Sequence, residues 1–134
     1  MRKNSGTLNP ALSRVISELG HTDEIVVTDA GLPIPNGVER IDLALTANVP
    51  EFLQCLDVVL AEAKFEGAIA ASEITIHSPE LYTALSERLN QHMIALELVP
   101  HTEFKARTSQ SKAAVRSGEF TSYANVILIA GVVY

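Results

Sequence analysis

Short apolar runs of β-forming residues take turns with stretches of helical period along nearly the whole chain, and this alternation restricts the fold to the α/β class. Asn9-Pro10 opens the first helix, with Asn9 as N-cap and Pro10 at the first helical position. Leu12, Val15, Ile16 and Leu19 recur behind them at helical spacing, and Gly20 is expected to end the helix at C′. Glu24-Ile25-Val26-Val27-Thr28-Asp29 reads as a buried strand, stopped by Asp29-Ala30-Gly31 and by Pro33 and Pro35. A strand is expected over Ile41–Leu45. A helix follows from Pro50, with Phe52, Leu53, Leu56, Val59, Leu60 and Ala63 on one stripe. Gly67 precedes a short strand at Ala68–Ala71, and Ser78-Pro79 caps a helix carrying Leu81, Leu85 and Leu89. Met93–Val99 is a strand ended by Pro100, and Thr102–Arg107 a short helix. Ala113–Val115 is a weak strand and Asn125–Ile129 a strong one, with Val132-Val133 at the tail. The pattern predicts a three-layer α/β/α sandwich on a mostly parallel, mixed sheet, with one or two antiparallel strands where connections shorten in the C-terminal half. With 134 residues, no repeat and no Pro/Gly/Ser-rich linker, residues 1–134 are expected to form a single domain. Ligands of such sheets sit beyond the carboxyl ends of the strands.

Charge narrows the function classes. The net charge of −6 disfavours nucleic acid as a partner, since binding a phosphate backbone requires a basic face. Trp is absent and aromatics are 5%, which leaves no platform for stacking bases. No apolar run approaches the roughly 20 residues that cross a bilayer, and Met1-Arg2-Lys3-Asn4-Ser5-Gly6 is not followed by the apolar stretch of a secretory signal. Cys55 is the only cysteine, so no intrachain disulfide can form. The expected compartment is the cytoplasm, with no membrane association.

Several residues are candidates for chemistry. His21, between the first helix and the first strand, can move a proton near neutrality; its plainer reading is a cation beside a helix C-terminus. Asp29 ends an apolar strand, where it either orients a hydroxyl or His21, or closes a turn onto backbone N–H groups. His101 follows Pro100 at the end of another strand. Tyr123 and Asn125 carry hydroxyl and amide groups suited to sugar hydroxyls, in a loop rich in small polar residues that enters the last strand. His77 reads as support for a helix start, His92 as surface, and Cys55 as a small buried hydrophobe. No close-spaced pair of histidines suggests a metal site, and no phosphate-cradling, dinucleotide-binding or nucleophile-elbow motif occurs.

Longer stretches carry a resemblance. Leu19-Gly20-His21-Thr22-Asp23-Glu24 and Asp29-Ala30-Gly31-Leu32-Pro33-Ile34-Pro35 resemble the D-ribose pyranases. So do Arg40–Leu45, Val49-Pro50-Glu51-Phe52, His101-Thr102-Glu103-Phe104-Lys105, Arg116-Ser117-Gly118-Glu119 and Tyr123–Leu128. The superfamily also contains L-fucose mutarotases, but the Gly31–Pro35 string and His101 favour the ribose branch. Ser122 departs from a common Pro, and Ser72 and Thr75 depart from Glu and Lys. The resemblance implies an isomerase that interconverts the β-pyranose and β-furanose forms of D-ribose by ring opening and reclosure, without cofactor or metal. It implies His21 as proton donor, within reach of the sugar's ring oxygen. Asp29, His101, Tyr123, Ala124 and Asn125 are then sugar-binding residues, some through backbone groups. It further implies a homo-oligomer, two pentameric rings paired into a decamer, with the site near subunit contacts. Two alternatives stay open: a mutarotase for L-fucose or another aldose, and a non-catalytic ribose-binding accessory of sugar transport.

Overall fold

Ile25, Val26 and Val27 are all buried, which requires cover on both faces of the strand that holds them. The computed structural model, which describes residues 1–134, supplies that cover. The elements in order are α1 (Pro10–Glu18), β1 (Glu24–Thr28), β2 (Glu39–Asp42), α2 (Phe52–Glu62), β3 (Phe65–Ala71), α3 (Ile74–His77), α4 (Pro79–Gln91), β4 (Ala95–Val99), α5 (His101–Arg107), a 3₁₀ turn (Thr108–Gln110), β5 (Ala113–Arg116) and β6 (Val126–Ala130).

The six strands form one sheet in the order β2-β5-β1-β6-β3-β4. β1 and β2 run parallel to β5, and β3 runs parallel to β4. β6 runs antiparallel to both of its neighbours, β1 and β3, so five strands share one direction and a central strand opposes them. The sheet is the mixed one expected. On one face Ile25, Val27, Ala68, Val126 and Leu128 pack against Leu12 and Val15 of α1, Phe52, Leu56 and Val59 of α2, and Leu85 and Leu89 of α4. On the other face Val26, Ile69, Ala114 and Ile127 meet Phe104 of α5 and Leu32 and Val38 of the loop after β1. The layers are three, but the second cover is much the thinner. No helix is long and apolar enough to cross a membrane.

Local chemistry explains the boundaries. The Asn9 side chain accepts the Leu12 N–H at 2.9 Å and starts α1 as expected. Gly20 does not take the left-handed C′ conformation; α1 ends with Leu19 extended, and the positive φ falls on Thr22 at 71°. The Gly20 N–H instead donates to the Asp23 carboxylate at 2.8 Å. The second strand covers Glu39–Asp42 rather than Ile41–Leu45, because Leu45 and Thr46 fold back onto the Val49 carbonyl. β3 and the fifth helix start earlier than their expected bounds, at Phe65 and His101; β4 starts later, at Ala95. Val132 and Val133 lie outside the sheet, and α3 is a short turn directly before α4 that carries no capping signal.

Candidate active site

β1 and β6 are neighbours, and β6 begins where β1 ends: Val27 pairs with Val126. The residue after β1 therefore meets the residue before β6. The Asp29 N–H donates to the Asn125 side-chain oxygen at 2.8 Å, and the Asn125 amide donates back to Asp29 Oδ2 at 3.1 Å. Asp29 Oδ1 accepts the N–H groups of Gly31 and Leu32 at 3.0 and 2.8 Å. Asp29 is thus both the turn aspartate and a fixed polar group of the site. Asn125 is only 1% exposed, and its oxygen and its amide nitrogen both meet Asp29, which makes it the anchor of the carboxylate.

α5 brings His101 to the same edge. The His101 N–H donates to both carboxylate oxygens of Glu73 at 3.1 Å, which fixes the first residue of the helix. Lost hydration pushes the Glu73 carboxyl up. The N–H groups of Glu73 and His101, the Ser72 hydroxyl and the His101 charge outweigh it and hold the group below its ordinary value. The His101 ring lies edge-on to Tyr123 with centroids 5.1 Å apart, and its Nδ1 is buried without a partner. Tyr123 has φ 62°, a strained conformation for a bulky residue and one that recurs at functional sites. The His77 ring stands 5.4 Å from Tyr123, so this histidine, read from sequence as helix support, borders the cluster.

Asp29, His101, Tyr123 and Asn125 line a cleft of about 650 Å³ at the carboxyl ends of the parallel strands, of a size that admits a small ligand. Lys105, Arg116 and Glu119 line it too, and sequence reasoning did not single them out. Lys105 lies one turn beyond His101. The Arg116 guanidinium donates to the Ala30 carbonyl and the Asp42 carboxylate. Glu119 accepts the Phe52 N–H at the start of α2 at 3.0 Å and the Thr121 hydroxyl at 2.8 Å. Ala124, expected at the site, is 0% exposed, belongs to the larger core and does not line the cleft. The Ser122 carbonyl, at the departure from the family's Pro, accepts the Ser78 hydroxyl at 2.7 Å.

His21 is not among them. It precedes β1 whereas Asp29 follows it, and five strand residues of about 3.3 Å each separate them. The adjacent Thr22 N–H donates to the Ala130 carbonyl at the far end of β6, which places this turn at the opposite edge of the sheet. The expectation that Asp29 orients His21 within one chain is therefore overturned. The partner of His21 Nε2 is Glu66, whose carboxylate oxygens lie at 3.0 and 3.2 Å.

Cys55 is buried, and burial together with the Glu119 charge pushes its thiol up to about 11, so it is no nucleophile at neutral pH. No group of three His, Cys, Asp or Glu side chains converges as a metal site.

Known proteins resemble this chain over nearly its whole length. Residues 2–133 match the model of the RbsD / FucU transport protein family. A D-ribose pyranase of Vibrio vulnificus is 54% identical over 138 aligned residues, covering 98% of this chain and 99% of the relative. The structure of Bacillus subtilis RbsD complexed with D-ribose superimposes with TM-score 0.94 at 43% identity, covering 99% of this chain and 100% of that one. A fucose mutarotase from Streptococcus pneumoniae in complex with L-fucose matches with TM-score 0.74 at 26% identity, covering 93% and 94%.

Proposed function

The chain belongs to the RbsD / FucU transport protein family, and on that premise we propose that it is an isomerase that interconverts the β-pyranose and β-furanose forms of D-ribose in the cytoplasm. The observation that carries this reading is the convergence of Asp29, Asn125, His101 and Tyr123 on one polar cleft at the carboxyl edge of the sheet. The better superposition on the ribose complex than on the fucose complex supports ribose over fucose.

The reaction requires only proton transfers. A proton goes to the ring oxygen of the pyranose as one leaves the anomeric hydroxyl, giving the open aldehyde. Attack of a different hydroxyl on the aldehyde closes the furanose. Asp29, held by three N–H donors, presents its remaining lone pairs to a sugar hydroxyl. Tyr123 and His101 bind further hydroxyls. His21 exchanges the ring-oxygen proton, a role typically worth about a hundredfold to ten-thousandfold.

His21 cannot reach its own chain's cleft, so we assign it to the cleft of a neighbouring copy. Exposed apolar groups support such a contact at both ends. Val133 lies beside His21, and Leu45 and Phe120 lie at the rim of the cleft, 89%, 80% and 68% exposed. A contact between opposite ends of two copies is heterologous and closes into a ring when its rotation permits. Two paired pentamers would satisfy it.

Subunit mixing tests this reading by saturation-transfer NMR between ribose forms. His21→Ala and His101→Ala are each expected to lose exchange. Chains of the two variants, dissociated and reassembled at equal ratio, are expected to recover about a quarter of wild-type activity, because one site in four pairs an intact cleft with an intact His21. Full exchange by His21→Ala alone, or no recovery on mixing, refutes it. Ribose binding without accelerated exchange by the wild-type chain favours the accessory reading instead.

A further inference from the structure

Glu66 sits where the ladder between β3 and β6 breaks register. Phe65 pairs with Ala130 and Gly67 with Ile129, so two residues advance on β3 while one advances on β6. Glu66 is the extra residue of a β-bulge, a device that re-aims a side chain. Its carboxylate meets His21 Nε2 through both oxygens. The turn that carries His21 is also built against local preference, with the β-branched Thr22 at φ 71°. That turn is tied down on all sides. Gly20 N–H donates to the Asp23 carboxylate, Thr22 N–H to the Ala130 carbonyl, and Ala130 N–H to the Asp23 carbonyl.

Stability does not account for this arrangement. The side chains of His21 and Glu66 are 52% and 46% exposed, and an ion pair so open to water adds little to folding. A bulge and a strained turn that converge on an exposed pair fit a geometric purpose.

Resting on the assignment of His21 as the proton-exchanging group, we propose that Glu66 is its positioning residue. The Glu66 carboxylate accepts the Nε2 proton and fixes the plane of the ring. Nδ1 is then left pointing outward as the nitrogen that meets sugar in a neighbouring copy's cleft. Glu66 touches no substrate, and its effect passes entirely through the imidazole.

Exchange rates across ribose concentration, read by saturation-transfer NMR on the assembled protein, test this with four variants. Glu66→Ala is expected to lower kcat by about tenfold to a hundredfold, the cost of a misplaced reacting group, with KM unchanged. Glu66→Gln, whose amide oxygen still accepts the Nε2 proton, is expected to retain most of kcat. Glu66→Asp, one methylene too short, is expected to fall with Glu66→Ala. A kcat for Glu66→Ala within twofold of wild type, or a loss confined to KM, overturns the positioning role. Should Glu66→Ala disperse the assembly, equal kcat in Glu66→Gln and Glu66→Asp overturns it as well. His21→Ala separates the two levels. If it is inactive while Glu66→Ala is normal, only the present proposal fails; if it exchanges ribose at the wild-type rate, the role of His21 fails and that of Glu66 with it.

Discussion

Exchanging one atom at the Asp29–Asn125 pair tests whether the cleft is held together as described. Asn125→Asp keeps the acceptor that takes the Asp29 N–H, but turns the amide donor that faces Asp29 Oδ2 at 3.1 Å into a second acceptor. Two unit charges at that distance repel by on the order of 5 kcal/mol at an effective dielectric near 20. Relaxation and water entry reduce this, while the lost hydrogen bond to a charged group adds roughly 2 kcal/mol. A net loss of about 3–5 kcal/mol follows. For a chain of 134 residues, at about 2.1 cal/mol/K per residue, the melting temperature falls by roughly 10–18 °C. The loss depends on pH with a definite sign. Repulsion raises the folded-state pKa of the introduced carboxylate above its unfolded value near about 3.9, because a neighbouring charge of like sign disfavours ionisation. The deficit is therefore absent below the unfolded value and grows as pH rises through the folded one. Thermal melts followed by circular dichroism at fixed protein concentration, at pH 8 and pH 4, measure it. Asn125→Ala serves as control, since it loses both bonds without adding a charge, and its deficit should change less between the two pH values than that of Asn125→Asp. A variant that melts within about 3 °C of wild type at pH 8, or whose deficit does not shrink on acidification, refutes the reciprocal pair.

Two further outcomes follow from the same edge of the sheet. A Cβ on Gly118 would stand 2.5 Å from the carbonyl oxygens of both Thr46 and Val49, and backbone cannot yield as a side chain can. Gly118→Ala is expected to cost about 3 kcal/mol or more and to lower the melting temperature by roughly 10 °C, and an unchanged melt contradicts that packing. Glu73 anchors the His101 N–H with its carboxyl held below the ordinary value of 4.5. Its contribution is present at neutrality and lost only as pH falls through the lowered value. The His101 amide resonance should titrate with a midpoint below 4.5, and Glu73→Gln should abolish the movement. A midpoint above 4.5 contradicts the anchor.

The helices α1, α2 and α4 and the strands β1 and β6 were legible because each carries its own periodic signal. β2 was displaced because the alternation Ile41, Leu43, Leu45 continues into a turn that only the fold-back onto Val49 ends. An antiparallel strand in the C-terminal half was legible from its shorter connections, but the place of β6 between β1 and β3 was not. It depends on pairings such as Glu24 with Ile129, whose partners lie far apart in sequence. Asp29, His101, Tyr123 and Asn125 stood out because each is a polar residue at the end or the entry of an apolar strand. Ala124 has no such signal, and its burial belongs to the core. Glu66 was invisible because its role arises from a bulge, a property of two strands together. The separation of His21 from Asp29 is different in kind. One residue precedes a strand and the other follows it, so a strand's length between them was already implied by the strand itself.

On the proposed role of His21, that strand length would make assembly part of the chemistry. β6 starts beside Asn125 in the cleft and ends at Ala130, which holds the Thr22 N–H next to His21. Both halves of the proposed site are thus pinned to one buried central strand, paired with a neighbour on each side. A packed strand neither shortens nor bends enough to bring its ends together. Loop motion does not bridge the gap either, because the turn at Gly20–Asp23 is hydrogen-bonded to β6 itself. Within one chain His21 and the cleft remain a fixed distance apart. If His21 acts on a sugar bound by Asp29 and His101, the two must come from different copies. In the proposed ring, the rigidity of β6 would then present every His21 to its neighbour in the same way.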